Sequence, residues 1–181
     1  MAREKGVSLA GFHNRRWDGD YLALWDILRR GLVGDVFQVE ACMANYNHPG
    51  LWWRSEKKVS GGAFYDWGAH IVDWVLGLVP GKLTEISGYF QTGRVWHDVT
   101  NEEHCRAVLR FDNGCSASIE LSHLAAIGKP RWRILGTEGA LEDPGDDKGY
   151  RVVTVRDGLR ADARIPYMAS DWDAYYRNVA D

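Results

Sequence analysis

The sequence has few cysteines and no long apolar run, and each shortage excludes a class of protein. Three cysteines without a Cys-x-x-Cys spacing indicate neither a disulfide framework nor a structural zinc site, so we expect buried thiols at Cys42, Cys105 and Cys115. The best apolar run, residues 71–79, is interrupted by Asp73 and is far shorter than the roughly 20 residues of a membrane span. The charged N-terminus lacks an apolar signal segment, which predicts a cytoplasmic protein.

Charge is nearly balanced, with 22 Lys and Arg against 25 Asp and Glu and a formal charge of -3. A chain without a basic field is not expected to bind nucleic acid or an anionic membrane. The 20 glycines include no Gly-x-Gly-x-x-Gly, and the spacings that start at Gly6 and Gly88 lack the Lys and Ser/Thr of a phosphate loop. The Gly-x-Ser-x-Gly and His-Glu-x-x-His motifs of hydrolases and zinc proteases are absent as well.

The first half of the chain has the hydrophobic spacing of helices and strands in turn. Apolar residues at helical intervals, a cap at Asp18 or Asp20 and a glycine at Gly31 predict the first helix. The other expected elements are a strand at Val7–Phe12, a half-exposed strand at Val36–Met43, a long surface loop at Asn45–Ser60 and a helix from Ala63 to Leu78.

The second half has the pattern of antiparallel strands. Strands are expected at Leu83–Phe90, Arg106–Phe111, Ser116–Leu121, Arg131–Leu135, Val152–Val155 and Ala161–Ile165. Asp112-Asn113-Gly114 and Arg156-Asp157-Gly158 predict two hairpin turns. Ser170 is the expected cap of a final helical segment over Asp171–Ala180.

These elements predict one α+β domain over residues 1–181, with an open, mainly antiparallel sheet and helices packed on one face. Two strands carry enough apolar residues to suggest that a partner surface covers the other face of the sheet. These residues are Ala107, Leu109, Phe111, Ala117, Ile119 and Leu121. We therefore expect self-association, as a homodimer or tetramer, through the open face of the sheet.

The residues best suited to chemistry lie between Ser60 and Asp73. On a helix, Asp66, His70 and Asp73 would share one face at positions i, i+4 and i+7. An imidazole can take a proton from a substrate hydroxyl near neutral pH, and a neighbouring carboxylate can orient the substrate or tune the histidine pKa. The same spacing occurs in plain charge pairs and in metal pairs, so those two interpretations stay open. A metal would need further ligands, and the available side chains are His13, His48 and His97.

Arginines beside tryptophans form a second candidate group. Arg16-Trp17 and Trp53-Arg54 place a guanidinium next to an aromatic ring, and such a pair can bind polyol hydroxyls or a phosphate. Ordinary salt bridges would account for the same residues. Nine tryptophans in all suit either a large core or an apolar cleft.

Five stretches of the chain carry a resemblance to a known family. They are Phe12-His13-Asn14-Arg15-Arg16-Trp17-Asp18, Gly31-Leu32-Val33-Gly34-Asp35-Val36, Trp53-Arg54 with Ser60-Gly61-Gly62, Tyr65-Asp66-Trp67-Gly68-Ala69-His70, and Gly136-Thr137-Glu138-Gly139-Ala140-Leu141. In this order and spacing they resemble the C-terminal domain of the glucose-fructose oxidoreductase, inositol dehydrogenase and MocA family over nearly the whole chain. The first stretch is similar to the branch that contains the NADP-dependent scyllo-inositol dehydrogenases.

The resemblance implies both a fold and a set of roles. Family members join an N-terminal Rossmann domain, which binds NAD or NADP, to a C-terminal domain with an open sheet that forms dimers or tetramers. On this resemblance His70 transfers a proton at the reacting hydroxyl, and Asp66 positions a sugar or polyol. The residues expected to face substrate or cofactor are His13, Arg16, Trp53 and Arg54, and no metal is implied.

The chain also departs from the family pattern. The glycine-rich fingerprint and the Glu-Lys-Pro segment with its catalytic lysine are absent, and Lys5 is not that lysine. Residues 2–7 resemble the end of the helix that follows Glu-Lys-Pro, and residues 173–181 resemble the beginning of another helix. We therefore expect a fragment truncated at both ends, without its Rossmann domain and inactive alone.

Three functions follow as hypotheses. The leading one is the substrate domain of an NAD(P)-dependent oxidoreductase that acts on the CH–OH group of a sugar or inositol-like polyol. The second is a non-catalytic sugar-binding or dimerisation module. The third is a metal-dependent isomerase or lyase that uses Asp66 and His70 as ligands.

Overall fold

A computed structural model describes residues 2–180, so Met1 and Asp181, the last residue of the stretch that resembles the beginning of another helix, lie outside the described residues. Within that range the α-helices are α1 Gly19–Arg29, α2 Lys57–Ser60, α3 Trp67–Leu78 and α4 Ala174–Ala180. The strands are β1 Val36–Ala44, β2 Leu83–Gln91, β3 His104–Phe111, β4 Ser116–Ser122, β5 Trp132–Gly136, β6 Gly139–Glu142, β7 Tyr150–Arg156 and β8 Leu159–Ile165.

These strands form a single sheet in the order β2-β3-β4-β1-β5-β6-β7-β8. Every described pairing is antiparallel except that of β1 with β4, in which Val39 lies beside Ala117. Both expected hairpins are present, and the turn between β7 and β8 places Asp157 and Gly158 at φ 52° and 77°, as a type I′ turn requires. The predicted α+β class and mainly antiparallel sheet are confirmed.

Helices α1 and α3 cover one face of the sheet and form the core with it. Their buried side chains include Leu24, Ile27, Ile71, Trp74 and Val75. The strand residues in the same core include Ala107, Leu109, Phe111, Ala117, Ile119 and Leu121.

The expectation that those six strand residues make the opposite face apolar is wrong. Side chains alternate across a strand, so the residues between them point away from the helices. On β3 and β4 most of these are polar or charged, among them Arg106, Arg110, Ser118 and Glu120, and Val108 is apolar. On β3 and β4 the open face is therefore mainly polar, and on β5–β7 it also carries the apolar side chains Leu135, Ala140 and Val153.

Three local predictions are also corrected. Residues 7–12 form no strand: Val7 and Leu9 are 61% and 90% exposed, and no described strand pairs with this backbone. Strand β6 was not predicted, because four residues are too few to show an alternating pattern. Ser170 caps α1 instead of the last helix, since its Oγ accepts the N–H of Gly19 at 3.0 Å, whereas Asp18 makes no capping hydrogen bond.

The remaining sequence expectations concern the loop, the thiols and the membrane. The long loop at residues 45–60 is present, but it contains a 3-10 turn at Trp53–Ser55 and the short helix α2. The three cysteines are free and buried, as predicted. The longest helix of residues 2–180, α3, has 12 residues, and no helix in that range is long and apolar enough to cross a bilayer.

Candidate active site

The helix that carries His70 begins at Trp67, later than predicted. The residues before it form a separate 3-10 turn, and Asp66 lies between the turn and the helix with φ −102° and ψ −105°. Asp66 is therefore not on α3, and the expected stripe of Asp66, His70 and Asp73 on one helix is wrong. Only His70 and Asp73 remain on α3, at positions i and i+3.

Arg16 binds Asp73 through two hydrogen bonds. Its Nε donates to Oδ2 at 2.8 Å and its Nη2 donates to Oδ1 at 2.6 Å. The pair raises the pKa of Arg16 and holds the pKa of Asp73 below its usual range. Nearby, Trp74 Nε1 donates to the carbonyl of Arg15 at 3.0 Å. The guanidinium expected to face substrate or cofactor is thus held by a carboxylate of α3, and the turn that carries it is fixed to that helix.

His70 is half-buried, and its pKa is lowered. Burial is the largest cause, and the positive charges of His13 and Arg15 lower the pKa further, against two carboxylates that raise it. The His70 ring meets the ring of His13 edge-on at 5.8 Å and that of Trp67 at 5.9 Å. Its Nδ1 is shielded from solvent and has no hydrogen-bond partner among residues 2–180. At neutral pH the ring is therefore uncharged, as a proton acceptor must be.

Arg54 lies between two tryptophan rings and beside Asp66. Its guanidinium carbon is 4.9 Å from the centroid of the Trp52 ring and 5.0 Å from that of Trp53. The Nε of Arg54 is 2.9 Å from Oδ2 of Asp66, which makes an ion pair. The angle is not that of a hydrogen bond, so this Nε–H has no acceptor within the described part of the chain. The group is held in place and keeps an unsatisfied donor.

Two residues that sequence reasoning missed support this arrangement. Asn101 Nδ2 donates to the carbonyl of Arg54 at 2.6 Å. Glu102 accepts the first N–H of the 3-10 turn before Asp66 at 3.0 Å and also pairs with Lys57. Burial would raise the pKa of Glu102, but these hydrogen bonds outweigh it, and the pKa is lowered. Both residues belong to a polar loop before β3, and in the sequence nothing distinguishes them from solvated loop residues.

A cavity of about 530 Å³ adjoins these groups. This volume is in the range of small-molecule sites. Trp52, Arg54, Asp66 and Trp67 line one side of it. His70 does not line the cavity, and Trp67 lies between the two, with its ring in contact with the imidazole.

The six side chains predicted for the site fall into two clusters. His13, Arg16 and His70 form the first, and Trp53, Arg54 and Asp66 form the second. Trp67 adjoins both, because its ring contacts that of His70 and it lines the cavity together with Arg54 and Asp66.

A metal site finds no support in the described part of the chain. Among residues 2–180, no three His, Cys, Asp or Glu side chains are grouped closely enough to hold a metal ion. His48 pairs with Asp98 at 3.0 Å, away from His70.

Comparisons with known proteins agree with this architecture. The family model described as the GFO/IDH/MocA C-terminal domain matches residues 21–142, about two thirds of the chain. The scyllo-inositol 2-dehydrogenase (NADP(+)) IolW of Bacillus subtilis is 25% identical, with 99% of this chain and 56% of the relative covered. The oxidoreductase YdgJ of Escherichia coli, itself uncharacterized, is 24% identical, with 100% of this chain and 58% of the relative covered.

Solved structures show the same fold. An NAD-binding protein from Listeria innocua superposes with a TM-score of 0.83 at 22% identity, covering 99% of this chain and 59% of that one. An NAD-binding oxidoreductase from Klebsiella pneumoniae gives a TM-score of 0.71 at 25% identity, covering 99% and 57%. The chain thus spans less than two thirds of the length of these relatives.

Proposed function

Because the chain belongs to the GFO/IDH/MocA C-terminal domain family of oxidoreductases, we propose that it is the substrate domain of an NAD(P)-dependent dehydrogenase. The proposed substrate is a sugar or an inositol-like polyol, oxidised at a CH–OH group. Support comes from the relative that is a scyllo-inositol dehydrogenase and from neighbours that bind NAD. The observation that carries the proposal is the neutral, half-buried His70 beside a cavity of small-molecule size.

The cofactor would be held mainly by residues outside this chain. The sequence contains no glycine-rich dinucleotide motif. When bound, a nicotinamide supplies the acceptor for the hydride that leaves the reacting carbon.

In the proposed reaction the chain's own residues bind the substrate and move the proton. His70 accepts the proton of the reacting hydroxyl as the carbon becomes a carbonyl, and it returns a proton in the reverse direction. A lowered pKa keeps His70 in its basic form to a lower pH than an ordinary histidine, so polyol oxidation should decline only as the pH falls through that lowered value. Asp66, paired with Arg54, presents a carboxylate to the substrate hydroxyls at the cavity wall.

The test requires the protein encoded by the complete reading frame around these residues. In that protein His70→Asn should lower polyol-dependent NAD(P) reduction by about 100- to 10,000-fold, the loss expected for an acid–base group. His97→Asn, at an exposed loop histidine, is the matched control and should leave turnover unchanged. We expect the 181-residue chain alone to show no turnover. Normal turnover of the His70 variant would refute the role of His70.

A second proposal is self-association through the open face of the sheet. This face carries a network of ion pairs across β1, β5, β6, β7 and β8, including Arg133 with Glu40 at 2.8 Å and Arg151 with Asp162 at 2.7 Å. A copy docked on it would meet these charged side chains as well as the apolar Leu135, Val153 and Val155, and the electrostatic part of the association should weaken with added salt. Light scattering of the chain at low and high salt tests this, and a monomer under both conditions contradicts it.

The non-catalytic alternative, a sugar-binding module, is supported by one observation. The cavity is of small-molecule size, and His70 is not among the residues that line it. Saturable polyol binding by the complete protein without any turnover would favour this alternative over the dehydrogenase.

A further inference from the structure

A segment of the chain, residues 54–63, connects Arg54 to the turn that precedes Asp66. The segment forms no strand, and it includes only the last residues of one 3-10 turn, the four residues of α2 and the start of another 3-10 turn. Such short turns contain few hydrogen bonds of their own, so contacts with the rest of the protein must hold the segment in place. The loop that joins β2 to β3, residues 92–103, supplies such contacts.

The last residues of this loop bind the backbone of the segment. The N–H groups of Thr100 and Asn101 donate to the carbonyl of Ser55, at 3.0 and 3.1 Å. Thr100 Oγ1 accepts the N–H of Lys57 at 3.0 Å. The loop is itself anchored to the sheet, because the N–H of Glu103 donates to the last carbonyl of β2 at 2.9 Å. The sheet therefore carries the segment through this loop.

The carboxylate of Glu102 extends these contacts to the far end of the segment. Its Oε2 accepts the N–H of Ala63 at 3.0 Å, and its Oε1 pairs with the ammonium of Lys57. Only 6% of the Glu102 side chain is exposed. A buried carboxylate is costly unless partners of this kind compensate its charge, so breaking either contact is unfavourable.

Together these contacts close a ring around the pair of Arg54 and Asp66. Glu102 binds Ala63, whose carbonyl accepts the N–H of Asp66 at 3.4 Å. Asp66 Oδ2 lies 2.9 Å from Nε of Arg54. The carbonyl of Arg54 in turn accepts Nδ2 of Asn101, the neighbour of Glu102, at 2.6 Å. The position of the Asp66 carboxylate therefore depends on where Glu102 holds the turn.

Gly62 shows how closely Glu102 approaches this turn. Its φ is +133°, a conformation that residues with a side chain rarely adopt. A Cβ at Gly62 would lie 3.2 Å from Oε2 of Glu102. The glycine before the turn thus leaves room for the carboxylate to reach the backbone.

We propose that Glu102 is a positioning residue for the Asp66–Arg54 pair, because its carboxylate fixes the turn that leads to Asp66 and so sets where the Asp66 carboxylate meets the substrate. The inference rests on the proposed function, in which Asp66 binds substrate hydroxyls. Both oxygens of Glu102 already have partners in the chain, so Glu102 acts through Asp66 and not by its own contact with the substrate.

The test is steady-state kinetics of the complete protein with myo-inositol, or with scyllo-inositol if that gives the higher turnover. Glu102→Ala should raise the KM of the polyol by about tenfold and change kcat by less than about threefold, because a misplaced Asp66 weakens substrate binding while His70 is untouched. Glu102→Gln keeps the shape and one acceptor oxygen, so it should raise KM by only about threefold. In an Asp66→Asn background, Glu102→Ala should add less than about twofold to KM, because the residue through which it acts is already altered.

Glu138→Gln is the matched control. Glu138 also pairs with a basic side chain, that of Arg156, but it lies at the turn between β5 and β6. This variant should leave KM and kcat unchanged. A role of Glu102 in stability alone would reduce the fraction of active protein, which lowers kcat at an unchanged KM. Circular dichroism establishes that each variant is folded, and Glu102→Gln keeps the test valid if Glu102→Ala does not fold.

Hydrogen exchange of the complete protein tests the turn without any turnover. By mass spectrometry, the peptide over residues 61–67 should exchange at least about threefold faster in Glu102→Ala than in the wild type. Unchanged exchange in this peptide, an unchanged KM, or additive effects of Glu102→Ala and Asp66→Asn on KM would overturn the inference. A wild-type protein without turnover would refute the proposed function instead, and the exchange rates would then decide whether Glu102 holds the turn.

Discussion

Replacing Asp73 with asparagine should destabilise the folded chain by about 1 kcal/mol. The wild-type carboxylate receives two hydrogen bonds from Arg16, at 2.8 and 2.6 Å. The side chain of Asp73 is only 17% exposed, but that of Arg16 is 54% exposed, so water screens much of the attraction. The pair therefore resembles the strongest surface ion pairs, which stabilise the folded state by about 1 kcal/mol. It does not resemble buried ion pairs, whose disruption costs about 3–5 kcal/mol.

The pH dependence of this stability difference identifies the Asp73 carboxylate as the source of the stabilisation. The Arg16 guanidinium lowers the pKa of Asp73 from its usual 3.8, so the folded state binds the proton less well than the unfolded state. The stabilisation is therefore complete at pH values above the pKa of Asp73 in the unfolded state, and it is lost as the pH falls through the pKa of Asp73 in the folded state. The stability difference between wild type and Asp73→Asn should stay constant from neutral pH down to about pH 5 and shrink below about pH 4.

Urea unfolding of the 181-residue chain measures the effect, in a double-mutant cycle with Arg16→Met. The coupling between Asp73 and Arg16 should be about 1 kcal/mol. The pair of Asp26 with Arg30, one turn apart on α1 and joined by a single contact at 2.7 Å, provides a control with an expected coupling of about 0.3–0.5 kcal/mol. A coupling at Arg16 no larger than this control, or a difference that persists unchanged at low pH, would refute the reasoning.

Two further predictions test the surroundings of the site. His13→Phe removes a neighbouring group that lowers the pKa of His70, so that pKa should rise. It should stay below 6.5, because burial, the largest cause of the lowered pKa, remains. An NMR titration of the His70 ring measures the pKa, and a fall would contradict the prediction. Ser170→Ala removes the cap of α1 and should lower stability by about 1 kcal/mol, or the thermal midpoint by about 2–4 °C. Ser8→Ala, at an exposed position, is the control for that melting experiment, and equal midpoints in the two variants would contradict the capping role.

Much of the fold could be predicted from the sequence because local patterns determine it. The alternation in β3 and β4, and the Asp-Asn-Gly and Asp-Gly turns, specify strands and hairpins whichever way the chain later packs. The basic last turn and glycine of α1 likewise end the helix by local geometry. The strand predicted at residues 7–12 failed because a strand needs a partner, and the described residues supply none.

The candidate site was predicted as residue types but not as an arrangement. Histidine and carboxylate, the residue types that proton transfer needs, lie close in the sequence and in space, and their catalytic role stays a prediction. The expected arrangement on one helix was wrong, because α3 begins at Trp67 with Asp66 as its N-cap residue, and the turn before Asp66 is bound at Ala63 by Glu102 from a distant loop. A contact across 39 residues leaves no trace in a local pattern.

The sequence by itself determined the secondary structure in outline, the class of fold, the family resemblance and the candidate residues, because these depend on spacing along the chain. Only the tertiary structure decided which partners those residues have. Folding assigned Arg16 to Asp73 and Arg54 to Asp66, and it placed Asn101 against the backbone of Arg54. The physical reason is that hydrogen bonds, burial and pKa values depend on distances in space, and residues far apart in the chain set those distances.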